Sequence, residues 1–160
     1  MKASFENSVD VLVKAYMNDT LVHGNCYACA VGNLVAASCG FKYINKNNSQ
    51  VIVQWEGVRY PGRNSDGWGS VFTTSGMKQR LNPEYYTGSP KKQIDSTGYS
   101  LCELMKIEFA FETAKSGWTI DDSMFSGLLA VVDVLAEIHG VDLSVKQAAI
   151  GQFAEIHATK

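Results

Sequence analysis

The stretch DDSMFSGLLAVVDVLAEIHG, residues 121–140, constrains the fold more than any other part of the chain. Acids open it, His139 sits in its last turn and Gly140 stands just beyond. That order suits the helix macrodipole and a left-handed glycine at the helix end. Its apolar residues wrap most of the circumference, and such a helix is stable only when other elements cover it on several sides. A central buried helix is therefore expected. With 160 residues and 46% hydrophobic content the chain can bury one core of this kind, which predicts a single domain over 1–160.

Other helices supply the cover. In SFENSVDVLVKAYMNDTL, Phe5, Val9, Leu12, Val13, Tyr16 and Met17 recur at helical spacing, with Asn7, Asp10, Lys14 and Asn18 on the opposite side. A second helix is expected from a cap at Asn25 to Gly40, about four turns. GYSLCELMKIEFAFETAKSG carries a capping box in Ser100 and Glu103, a hydrophobic staple in Tyr99 and Leu104, and Gly117 to close its end. LSVKQAAIGQFAEIH repeats the capping-box spacing in Ser144 and Gln147. The expected class is mainly α (α+β): about five helices, a small antiparallel β element, and long ordered loops in residues 41–98.

That middle segment is different in kind. QVIVQW at 50–55 and SVFTTSG at 70–76 are rich in β-branched residues and suggest an antiparallel pair. Between them EGVRYPGRNSDGWGS specifies turns through Pro61 and glycines 62, 67 and 69. From 42 to 92 eight bases face three acids, a surplus of five, whereas the remainder carries six bases against thirteen acids, a deficit of seven. All three arginines, Arg59, Arg63 and Arg80, lie here among Tyr43, Trp55, Tyr60, Trp68, Phe72, Tyr85 and Tyr86. A guanidinium fork grips phosphate or carboxylate and an aromatic face stacks on a base. Trp55 and Phe72 are expected to point inward over the core. Arg59, Tyr60, Arg63, Trp68, Lys91 and Lys92 are the candidate ligand-binding residues. The overall acidic balance argues against long duplex DNA, leaving a nucleotide-like small molecule or a protein as the partner.

The thiols need separate treatment. LVHGNCYACAVGNLVA places Cys26 at an expected helix start, where the dipole and free amides stabilise a thiolate, and it loosely resembles the nucleophile helix of papain-like hydrolases. The imidazoles available to Cys26 in such an enzyme are His23 and His139. His23, Cys26 and Cys29 could alternatively ligate a metal, with Cys39 or Cys102 as a fourth ligand, although no second ligand pair is present. A CxxC redox site lacks the strand that normally precedes it. Packing explains the stretch more simply: Cys29, Gly32, Asn33 and Ala36 form a narrow stripe against which another backbone can approach. His139 and His157 stand at helix ends, where a surface imidazole satisfies the dipole. No catalytic residue, metal or cofactor is assigned on this reading.

Glu6, Asp10, Lys14 and Asp19 interrupt the first apolar stretch and argue against a secretory leader. The apolar run LLAVV at 128–132 is far shorter than the ~20 residues of a bilayer span, and no other run approaches that length. A cytoplasmic protein with reduced cysteines is expected, with no membrane partner.

Three blocks, HGNCYACAVGNLVA, WGSVFTTSG and QIDSTGYSLCELMKIEFAFE, resemble small uncharacterised proteins encoded by tailed bacteriophages and prophages. The resemblance implies the host cytoplasm as location and an accessory role, such as counteracting host defence by blocking a host protein or sequestering a nucleotide signal. A structural or assembly component of a virion is the other role it allows, and self-association into a homo-oligomer would favour that one.

Overall fold

The computed structural model describes residues 3–24, 29–39, 42–46, 49–54 and 94–160. They form a mostly helical structure: α1 (Phe5–Met17), α2 (Ala30–Cys39), α3 (Leu101–Thr113), α4 (Ile120–His139) and α5 (Leu143–Thr159), with a single helical turn at 94–96. Strands β1 (Lys42–Lys46) and β2 (Ser49–Gln54) pair antiparallel through Lys42↔Gln54 and Lys46↔Ser49. The pairing expected from sequence joins 50–55 to 70–76. That second segment lies outside the described residues, so the β element expected of the insertion gains no support.

Helix α4 is the hub, packing against α1, α3 and α5. Its buried face comprises Met124, Gly127, Leu128, Val131, Val132, Leu135 and Ala136. Thr119 and Asp122 close a capping box at its start, and Gly140 ends it in the left-handed region at φ 61°. The acids at the start and His139 in the last turn stand where the sequence places them.

Caps and faces depart from expectation at four points. Helix α2 begins at Ala30, five residues after Asn25, which itself lies outside the described residues, as does Gly40. The first helical bond of α2 runs from Asn33 N–H to the Cys29 carbonyl, and Gly32 N–H donates to Cys29 Sγ at 3.3 Å. A thiol thus takes the place of the expected asparagine cap. Helix α5 starts at Leu143 behind Asp142, which puts Ser144 inside the first turn, and no side chain caps it. Helix α3 ends at Thr113, before Gly117. Gly117, at φ 104°, instead lets the chain turn tightly against Asp122, where a Cβ would sit 2.2 Å from the Asp122 Cβ. Met17 is 59% exposed, and the buried face of α1 takes in Ser8 and Ala15. The Ser100–Glu103 capping box forms with both of its bonds, and Tyr99 and Leu104 are both buried.

Two glycines in helices make a paired test. A Cβ on Gly127 would lie 2.8 Å from Phe111 Cδ2, 3.0 Å from the Phe111 carbonyl oxygen and 3.0 Å from His23 Cε1; on Gly151 it would meet nothing within 4 Å. Gly127→Ala is therefore expected to destabilise by about 1–3 kcal/mol through overpacking. Gly151→Ala should stabilise by roughly 0.5–1 kcal/mol, the ordinary preference of a helix interior. Thermal melts would read opposite signs, and a gain at Gly127 would contradict the close contact of α3 with α4.

Candidate functional site

Three groups of polar side chains lie inside the helical frame. The first surrounds the start of α2. Cys29 is sealed, and its thiol is hydrogen-bonded to the carboxyl of Glu108, which α3 carries on its buried face. Burial first, and then the charge of Glu108, pushes the Cys29 thiol well above its ordinary value. Burial likewise raises Glu108 to about 7. Beside them His23 stacks on Phe111 with ring centroids 4.2 Å apart, its Nε2 lying 3.0 Å from the Ser123 carbonyl oxygen. Glu112 lies 3.8 Å from His23 Nδ1 and accepts from Gly24 N–H at 3.0 and 3.1 Å. Among the described residues, His23 Nδ1 and Glu108 Oε2 are the buried side-chain polar atoms without a hydrogen-bond partner. Asn33 spans the gap behind this cluster, donating to the carbonyls of Thr20 and Cys29, each at 3.0 Å.

A second group pairs each remaining histidine with a buried tyrosine. Tyr16 Oη lies 2.7 Å from His157 Nδ1, while Asp122 lies 3.0 Å from His157 Nε2 and Phe125 stacks on the ring. Burial, reinforced by Asp121, Asp122 and Asp19, raises the Tyr16 phenol to about 12. Hydrogen bonding from the Thr119 side chain, then its backbone amide, lowers Asp122. Tyr99 Oη lies 2.8 Å from His139 Nε2 and 2.6 Å from Ser8 Oγ, and burial raises this phenol to about 12 as well. His139 and His157 are thus partly buried struts between helices, contrary to the surface role expected of them. A helix-end position did not reveal the tyrosine that each one meets.

The third group borders a cleft of about 210 Å³ between α1, α2 and the turn at 97–99, whose walls include Asn7, Ser8, Val11, Ser38, Thr97 and Tyr99. Ser38 Oγ at the end of α2 stands 2.9 Å from Ser96 Oγ, so the two ends of the frame that flank residues 40–93 meet at the rim of this cleft. Its floor is the Ser8–Tyr99 pair, backed by His139.

Of the residues singled out from sequence, Arg59, Tyr60, Arg63, Trp68, Lys91, Lys92 and Cys26 lie outside the described residues, as do Trp55 and Phe72. His23, Cys29 and His139 are described, and each is committed to internal neighbours: Ser123 and Phe111, Glu108 and Gly32, and Tyr99 respectively. No group of three or more His, Cys, Asp or Glu side chains among the described residues is arranged to hold a metal ion. No described helix is long and apolar enough to cross a membrane. Sequence reasoning passed over Glu108, although its spacing from Leu104 and Phe111 places a carboxyl on the apolar face of α3. Comparison with protein-family models, with curated proteins and with solved structures gives no match.

Proposed function

We propose that this chain is a non-catalytic accessory binding protein of a phage or prophage, which recognises a nucleotide-like small molecule through the cationic, aromatic segment 55–95. Blocking or sequestration of that molecule would counteract a host defence. The observation carrying this reading is the segregation of charge: a surplus of five positive charges and all three arginines in residues 42–92, against a deficit of seven elsewhere. Forked cations beside aromatic faces suit phosphates attached to a base. In the frame, His139 and His157 each meet a buried tyrosine and Cys29 is bonded to Glu108, so these described groups serve packing.

The test combines native mass spectrometry of the protein purified from cells with calorimetric titration of ATP, GTP, CTP and UTP. A retained mass or a titratable triphosphate is expected. Arg63→Ala and Trp68→Ala should each abolish binding with the melting temperature nearly unchanged. Loss of stability with binding retained would overturn the assignment of these residues. A co-purifying host protein with no bound nucleotide would transfer the same surface to a protein partner.

A further inference from the structure

The surroundings of Glu108 satisfy its carboxyl only in part. The group is bonded to the Cys29 thiol, yet its Oε2 is sealed from solvent and has no hydrogen-bond partner. A neutral acid tolerates that position, whereas a carboxylate there is a buried charge with one oxygen unmet. The titratable groups nearby do not relieve it. Glu112 stands one turn further along α3 as a like charge, accepting from Gly24 N–H and lying 3.5 Å from Lys115 Nζ. His23, from the 20–24 loop, sets its Nδ1 3.8 Å from Glu112 and its Nε2 3.0 Å from the Ser123 carbonyl oxygen, and that Nδ1 is not bonded to Glu108. Ionisation of Glu108 therefore requires that the group reach water.

Two elements meet at this carboxyl, and they are unequally anchored. On α3 the neighbouring Leu104, Ile107 and Phe111 are each fully buried, and the helix starts in a capping box with both of its bonds made. At the start of α2 the capping role falls to Cys29 Sγ, a weaker acceptor than the hydroxyls of Ser4, Ser100 and Thr119 that cap α1, α3 and α4. The same sulfur is bonded to Glu108, so parting the two groups also loosens that cap. The first turn of α2 is the side that yields, because helix ends open at the least cost.

We infer that the Glu108–Cys29 contact is a proton-gated latch: with its proton Glu108 keeps Cys29 sealed, and release of that proton accompanies opening of the first turn of α2, which presents the thiol to solvent. The sealed carboxyl titrates near 7 against 4.5 when exposed, so the open population should grow about tenfold per pH unit between these values and level off above them. The test is labelling of the full-length protein with N-ethylmaleimide from about pH 5 to about pH 8, read by peptide mass spectrometry. Dividing the rate at Cys29 by that at the exposed Cys102 removes the pH dependence common to thiols. In the parent this ratio should climb about tenfold per unit up to pH 7 and then flatten. It should change little with urea below the unfolding midpoint, since a local opening exposes little surface. Glu108→Gln cannot ionise and should hold the ratio constant over the same range. A parent ratio that is flat with pH, or that rises with urea as steeply as global unfolding does, overturns the latch, and so does a Glu108→Gln ratio that climbs like the parent's. Should Glu108→Gln fail to fold, the pH and urea dependence of the parent decide between these outcomes.

Discussion

Truncation of Phe111 to alanine is expected to lower the free energy of unfolding by about 3–5 kcal/mol, the range for deleting a buried aromatic ring. Phe111 is fully buried on α3, pressed against Gly127 of α4, with the imidazole of His23 stacked on its ring and also close to Gly127. Its removal opens a cavity where two helices and the 20–24 loop converge, and takes from His23 the surface that orients it toward the Ser123 carbonyl. Urea titration of the variant should show a lower midpoint with an unchanged slope. The effect should also be coupled to that of Gly127→Ala. Once the ring is gone the Cδ2 contact disappears, so the second substitution costs less in the truncated background than alone. Strict additivity, or a loss for Phe111→Ala below about 1 kcal/mol, would contradict the three-way contact.

The second large effect depends on pH. Glu108 is raised from 4.5 to about 7, first by burial and then by the charge of Glu112, while the bond from Cys29 opposes the shift. A carboxyl raised in the folded state contributes stability that is fully present below its unfolded value and is lost as pH rises through the folded one. The window therefore runs from about 4.5 to about 7, and the loss across it is on the order of 3 kcal/mol. The groups beside Glu108 are Cys29 from the start of α2 and Glu112 on α3 itself, with His23 next to Glu112. Glu108→Gln holds the shape and removes the titration. The difference between variant and parent in urea midpoint should move in favour of the variant as pH rises through this window, and then level off. Parallel profiles from pH 4.5 to 8.5 would refute the role of Glu108.

Legibility in the sequence followed the range of the interactions. The α4 pattern, its terminal Gly140 and the Ser100–Glu103 capping box rest on bonds within a few residues, and each stands as read. The start of α2 was misplaced because the Cys29 thiol competes for the capping role, and nothing in residue preference marks a cysteine as a cap. The Ser144–Gln147 spacing misled for a related reason. The left-handed Gly140 brings Asp142 to the N-cap position and leaves Ser144 inside the helix. Buried partnerships were harder still. Ser8 meets Tyr99 across 91 positions and Tyr16 meets His157 across 141, distances at which local periodicity carries no information. The small-residue stripe through Cys29, Asn33 and Ala36 was readable as packing, and all three residues are buried. The partner of Asn33, a loop carbonyl at Thr20, was not readable.

The meeting of Ser38 with Ser96 bears on how such a chain can diversify. Closing a longer excursion between fixed ends costs only about 0.6 kcal/mol for each doubling of its length. A change of length between those two serines is therefore cheap in closure entropy, provided that Ile94, which lies between them and is fully buried in the core, is kept.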